Sequence, residues 1–305
     1  MIPAVTFRYL HRDGDTRAWP WLLAREAGEC ARELGRVLRQ PPRNWPRLGF
    51  WAAAYHAGML VHPMASRRVA TAPVTVGGRR LRVRFRRNQS DLYILRENFL
   101  YEIYDFPYER QLGRVATVVD LGANIGLSGL WFQARLPGAR LVCVEPVEEN
   151  VELLRRNAED NGFAWTVEHA AIAGRSGTVQ LYPNEWWSSS STTRSVSEAR
   201  TGSRTRLEHV LRLPPVETRA WSVPDLMARC GLETIDVLKV DVEGAEAELF
   251  AGDTPWLDAV RLVVMEIHRK YVDPAPIVAH LEAHGLRPVP DRPGPCDVFA
   301  RGAGR

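Results

Sequence analysis

ATVVDLGANIG, residues 116–126, sets the frame for the whole chain. Its apolar start, Val118-Val119, reads as a buried strand that runs into Asp120. Gly122 and Gly126 then bracket a turn, and the apolar run from Leu127 to Phe132 continues as a helix. Strand, glycine turn and helix in that order present a helix N-terminus to a ligand at the edge of a doubly wound sheet. Glycine lets the backbone bend there and leaves room for close approach. Dinucleotide-binding chains carry G-x-G-x-x-G at this place. Here the string from Gly122 is G-A-N-I-G, which better suits a nucleoside cofactor without a pyrophosphate.

The 305 residues allow one large domain, or one domain with an extension, and a hydrophobic fraction of 45% supports a sizeable core. Lys239 and Lys270 are the only lysines among 40 basic residues, an arginine bias that reads as GC-rich codon usage. Nucleic-acid binding would need basic residues clustered with stacking aromatics. The arginines instead spread along the chain among acids, so no nucleic-acid partner is expected. Cys30, Cys143, Cys230 and Cys296 form no C-x-x-C, which argues against zinc knuckles and a disulfide scaffold and predicts a reduced, cytoplasmic compartment. Residues 1–10 lack the apolar run of a signal peptide. The most hydrophobic segment, Leu48 to Val61, falls short of the roughly 20 residues a membrane span needs.

Taken in order, residues 1–72 read as an N-terminal helical extension, with an amphipathic helix over 20–39 and a second over 50–59. Residues 73–305 form the main domain. Val74-Thr75-Val76 and Leu81 to Phe85 flank Gly77-Gly78, a hairpin signature. The aromatic-rich stretch Asp91 to Glu109 reads either as a helix over the sheet edge or as a lid over the cofactor, with Tyr101 and Glu102 as the residues to watch. Strands are expected at 140–144, 165–172, 235–240 and 260–267, and the helix after Pro146 carries acids early and arginines late, as its dipole favours. A long insertion, 183–215, opens with Trp186-Trp187 and a hydroxyl-rich run to Thr193, which suits stacking on a sugar. At the end, Arg287-Pro288-Val289 pairs with Asp297 to Ala300 as an antiparallel hairpin, a cap that fits a methyltransferase-type sheet better than a dehydrogenase.

Ligands of open parallel sheets bind beyond the carboxyl ends of the strands. Four strands here end in polar or glycine-rich residues at that edge: Asp120-Leu-Gly122, Glu145-Pro146, Asp241-Val-Glu243-Gly244 and Glu266-Ile-His268. Glu145 follows Gly126 at roughly the 20-residue spacing of an acid that binds ribose hydroxyls.

With VVDLGANIG, CVEP, AAIAG, VPDL, IDVLKVDVEGAE and VMEIH in place, the chain from about Arg80 to Ala300 resembles the FkbM-type family of S-adenosylmethionine-dependent O-methyltransferases. DVEGAE, Asp241 to Glu246, is the most family-specific of these strings. The resemblance implies an α/β fold with a Rossmann-like class I methyltransferase sheet of seven strands and a C-terminal antiparallel hairpin. It implies S-adenosyl-L-methionine as cofactor and a hydroxyl of a saccharide, glycolipid or other secondary metabolite as acceptor. By position, Asp120, Gly122, Asn124 and Gly126 hold the methionine part, Glu145 the ribose, and Ala170-Ala171 lie near adenine. Two alternatives stand beside it: a nicotinamide-dependent oxidoreductase, and a non-catalytic binding protein that keeps the cofactor fold.

Methyl transfer to an alcohol is an in-line displacement that needs positioning and a base for the hydroxyl proton. His268 is the natural base, Glu266 can orient it, and Asp241 sits at the strand end nearest the expected methyl group. The set Asp241, Glu243, Glu266 and His268 also offers oxygen-rich ligands for a divalent cation such as Mg²⁺ or Mn²⁺, while Glu243 alternatively bonds backbone N–H groups.

Overall fold

A computed structural model describes residues 27–35, 44–61, 65–182, 192, 214–290 and 296–302. Its centre is a seven-stranded sheet. β3 (Thr117–Leu121), β4 (Arg140–Glu145), β5 (Thr166–His169), β9 (Ile235–Val240) and β10 (Val260–Met265) run parallel, and β12 (Asp297–Arg301) is antiparallel to both β10 and β11 (Leu286–Pro288). The order across the sheet is β11-β12-β10-β9-β3-β4-β5. The sheet reverses its direction of growth between β3 and β9, the switch point where open α/β sheets bind ligands. The expected seven-strand fold with its terminal antiparallel hairpin is thus observed; the Pro293-Gly294 turn lies outside the described residues.

Both faces of the sheet are covered, as parallel strands require. Period-two alternation sends Val118, Leu141, Cys143, Val237 and Leu262 to one face and Val119, Val142, Val144, Leu238 and Val263 to the other. The first face packs on α4 (Leu127–Arg135), where Trp131 and Phe132 are buried, and the second on α6 (Val223–Cys230) and α8 (Pro274–Ala283). Ser222 caps α6 by accepting from Asp225 N, and Asp273 caps α8 by accepting from Ala275 N at 3.0 Å.

Ahead of the sheet come α1 (Trp45–Val61), the hairpin β1 (Ala65–Val76) and β2 (Arg79–Asn88), then α2 (Gln89–Phe99) and α3 (Tyr108–Leu112). Gly77 and Gly78, at φ 55° and 87°, make the two-residue hairpin turn that the sequence predicts. Residue 72 lies inside β1, and Leu48, Ala52 and Tyr55 of α1 share a core with Val74, Leu95 and Trp131. The stretch 91–109 is not one helix: α2 ends at Phe99, and an irregular run precedes α3.

One expected strand is two. The stretch 165–172 follows β4 only as far as His169, and Ala170 N then bonds Glu145 O at 3.2 Å. The chain turns away there, so that β6 (Ala171–Ile172) joins β8 (Val216–Trp221) and β7 (Gly177–Leu181) in a separate three-stranded sheet. Helical residues 27–35 fall within the expected first helix. The Trp186-Trp187 run lies outside the described residues. Among the described residues, no helix is long and apolar enough to cross a membrane.

Candidate active site

The turn after β3 is built by close backbone contact. Gly122 N and Ala123 N both donate to Val144 O, at 3.0 and 2.9 Å, which ties the turn to β4. Gly122 sits at φ 77°, and a Cβ there would lie 1.9 Å from Asp241 O. No other residue fits between the ends of β3 and β9. Asn124, at φ 50°, holds its own turn with Oδ1 accepting from Ile125 N at 2.7 Å. Gly126, at φ 82°, is the N-cap of α4.

Asp120 and Lys239 are register partners on β3 and β9, so they share a face. Lys239 Nζ lies 3.0 Å from Asp120 Oδ1 and donates to Gly122 O at 2.7 Å; Ser128 donates to Asp120 Oδ2 at 2.6 Å. Burial alone would lower the Lys239 pKa, but the charges of Asp120 and Asp241 outweigh it and raise it. Asp120 is fully buried beneath the turn.

A cavity of about 250 Å³ opens above these strand ends. Of the residues singled out in the sequence, it brings together Gly122, Asn124, Glu145, Ala170, Ala171, Asp241, Glu243, Glu266 and His268. Asp120 and Gly126 do not line it. They act from below, as the anchor and the hinge of the turn.

Glu145 is held firmly. Its Oε1 accepts from Val147 N and Asn150 Nδ2, each at 3.0 Å, and its Oε2 from Asn124 N at 2.9 Å. A carboxylate has about four acceptor positions, so roughly one is left for a ligand rather than the two a bidentate ribose contact would use. Val144, Ala170, Ala171, Ile172 and Leu181 form an apolar wall beside it.

At the other end, Glu243 (φ 54°) and Gly244 (φ 91°) make a left-handed turn after β9. That turn, with α7 (Glu246–Leu249) behind it, brings two glutamates to His268. Glu243 Oε2 lies 3.2 Å from His268 Nε2, and Glu246 Oε1 lies 2.7 Å from Nδ1. DVEGAE and the histidine of EIH are therefore one device. Burial alone would lower the His268 pKa, but hydrogen bonds to Glu243 and Glu246 outweigh it and push it up to about 12. An imidazolium held this way donates from both nitrogens and has no lone pair for a further proton. Glu246 also bonds the backbone of this turn, its Oε1 accepting from Gly244 N at 3.2 Å.

Glu266 does not contact His268 as an orienting partner; Glu243 and Glu246 do that. Burial, reinforced by the Asp241 charge, raises Glu266 to about 7. Asp241 is raised as well, by burial above all, against the pull of Lys239. Asp241, Glu243 and His268 each offer one ligand atom within 4.8 Å of the others, the closest approach to the expected cation site among the described residues. Both histidine nitrogens face carboxylates, Nε2 towards Glu243 and Nδ1 towards Glu246.

Within the stretch 91–109, expected as a helix or a lid, the residues that reach the cavity are not the two singled out. Tyr93, Ile94, Glu97 and Asn98 line the cavity, whereas Tyr101 donates to Glu33 Oε2 at 2.5 Å, and neither Tyr101 nor Glu102 lines it. Burial and the Glu266 charge raise Glu97 to about 8. The available signal was Glu97 and Asn98 beside the apolar positions Leu92, Leu95 and Phe99 of the helix.

Residues 120–288 match the family model described as the methyltransferase FkbM domain. The AMB antimetabolite synthetase AmbE of Pseudomonas aeruginosa is 31% identical over 211 residues, covering 58% of this chain and 10% of that protein. The methyltransferase sdnD of Sordaria araneosa is 30% identical over 194 residues, 57% of this chain and 73% of the relative. The 31-O-demethyl-FK506 methyltransferase FkbM of Streptomyces tacrolimicus is 28% identical over 199 residues, with 57% and 74% covered. The matched part of the chain thus spans a tenth of the synthetase's length and about three quarters of the two methyltransferases.

Proposed function

The chain belongs to the FkbM methyltransferase family, and on that premise we propose that it transfers a methyl group from S-adenosyl-L-methionine to a hydroxyl oxygen of a small-molecule acceptor, a saccharide, glycolipid or other secondary metabolite. One observation carries the reading: a single cavity joins an apolar wall, a fixed carboxylate and a cluster of acids. These suit a nucleoside with a cationic tail. Ala170, Ala171 and Ile172 offer a slot for adenine, the remaining acceptor position of Glu145 takes a ribose hydroxyl, and Asp241 faces the methionine end with an Oδ1 that has no hydrogen-bond partner. A relative named for action on a 31-O-demethyl compound supports oxygen as the receiving atom.

When bound, the cofactor supplies an electrophilic methyl on a sulfonium, so the S–CH₃ bond breaks as the O–CH₃ bond forms and S-adenosylhomocysteine departs. The chain's own work is to hold the acceptor in line and take the hydroxyl proton. Glu266 is the group for that proton, because a carboxyl held at about 7 is both partly ionised and basic enough near neutrality. His268 is a positioning cation. It keeps Glu243 in place and moderates the negative charge around Asp241.

Calorimetry with S-adenosylhomocysteine, paired with mass spectrometry of metabolite extracts for one added CH₂, tests this. Glu266→Gln is expected to bind the homocysteine product as the wild type does and to lose about 10²- to 10⁴-fold in methyl transfer. Binding of NAD in place of the homocysteine product would overturn the reading, and full turnover by Glu266→Gln would remove Glu266 as the base.

A further inference from the structure

Helix α2 reaches the cavity from a part of the chain that precedes the family match, and the cofactor contacts assigned above leave its residues unused. Asn98 is 5% exposed and lines the cavity. Its Nδ2 donates to Ile94 O at 2.9 Å, which fixes the amide's orientation and leaves Oδ1 without a donor. Buried acceptors in folded proteins nearly always find a donor, and one that lines a cavity is placed to find it in a ligand.

Beside Asn98, the Glu97 carboxyl lines the cavity with Tyr93 hydrogen-bonded to it and with Glu266 acting on it as a like charge. Asp241 and Glu243 add two more carboxyls to the same wall. The cations available among the lining residues are already committed. Lys239 pairs with Asp120 and donates to Gly122 O, and His268 is held between Glu243 and Glu246. This end of the cavity therefore gathers an orphaned carbonyl and several carboxyls that hinder one another's ionisation, which a bound cation would favour.

We propose that α2 forms part of the acceptor subsite and takes an acceptor that bears a protonated amine near the hydroxyl to be methylated, its ammonium donating to Asn98 Oδ1 and to the Glu97 carboxylate. The inference rests on the methyl-transfer reading above. An ammonium brings three donors and a positive charge, which answers an orphaned carbonyl and neighbouring carboxyls together. A neutral hydroxyl brings one donor and no charge to favour ionisation of the carboxyls. The chemical class is thus an amino alcohol, of which an amino sugar is one form.

The test uses the full chain, S-adenosylmethionine with an isotopically labelled methyl, and a metabolite extract of the source cells. Labelled products are identified by mass after the extract is divided on a cation exchanger near neutral pH. Label is expected on oxygen in molecules that the exchanger retains, and prior N-acetylation of the extract is expected to abolish it. Glu97→Gln and Asn98→Ala should each lower that product about ten- to a hundredfold, with S-adenosylhomocysteine affinity at the wild-type value. Label confined to neutral or anionic molecules, or insensitive to acetylation, overturns the inference. So does label on nitrogen, or normal transfer by both variants. Weakened homocysteine binding in the variants would assign α2 to the cofactor and overturn it equally. Absence of label from every fraction, while the homocysteine product still binds, would overturn the methyl-transfer reading and the inference with it.

Discussion

At His268 two glutamates set the proton inventory of the site. The residue types at the strand ends, including Asp241, Glu266 and His268, are legible in the sequence because they cluster at one edge. Their protonation is not legible, since it depends on Glu246, three residues beyond Glu243 and folded back onto the ring. The difference is measurable. With Glu266 as base, the rate should rise with pH as the carboxyl ionises through about 7 and then level off. A neutral His268 as base would instead make the rate climb toward about 12. The pH dependence of single-turnover methyl transfer separates the two, and a rate still climbing in strongly alkaline buffer would restore the histidine.

Among the elements, the β3 and β9 ends meet at Gly122, and that contact determines whether the turn can exist. Gly122→Ala would drive a Cβ into Asp241 O at 1.9 Å and force a side chain onto φ 77°. The expected outcome is a loss of several kcal/mol, read as a lower denaturant midpoint, together with lost homocysteine binding; a variant with wild-type stability would show that β9 yields easily. Glycine spacing and apolar runs made β3, β4, β9 and β10 readable because each carries its own period. The split between β5 and β6 was hidden, because Ala170-Ala171 stays apolar while the chain changes sheets. Which residues of α2 line the cavity was hidden for another reason. Its contribution depends on which neighbour its inner face meets, and that neighbour lies in a distant part of the chain.

Taken whole, the molecule fastens its N-terminal part to the site through one buried ion network. Glu33 Oε2 lies 3.0 Å from His56 Nε2 and accepts from Arg96 and Tyr101, while the Arg96 guanidinium lies 4.0 Å from the Tyr55 ring centroid. Arg96 adjoins Glu97, so this network secures the helix that lines the cavity. Burial alone would raise the Glu33 pKa, but hydrogen bonds from His56, Arg96 and Tyr101 outweigh it and hold it at about 2. A carboxyl lowered from 4.5 stabilises the fold above that pH and loses its contribution as pH falls toward 2. Glu33→Gln leaves Arg96 uncompensated and should cost about 3 kcal/mol near neutrality. The gap from wild type should narrow as pH falls below 4.5 and close only toward about 2. Melting curves across pH check this, and a gap that persists in acid would assign the loss to packing.

The buried pair of Lys239 and Asp120 also has a practical side. Of the chain's two lysines, Lys270 is exposed and Lys239 is sealed at 2% exposure between β3 and β9. An acylating dye at limiting time thus marks one lysine on the folded chain and reaches the second only when those two strands part. Dye stoichiometry against time becomes a clock for the opening of the strands that carry the site.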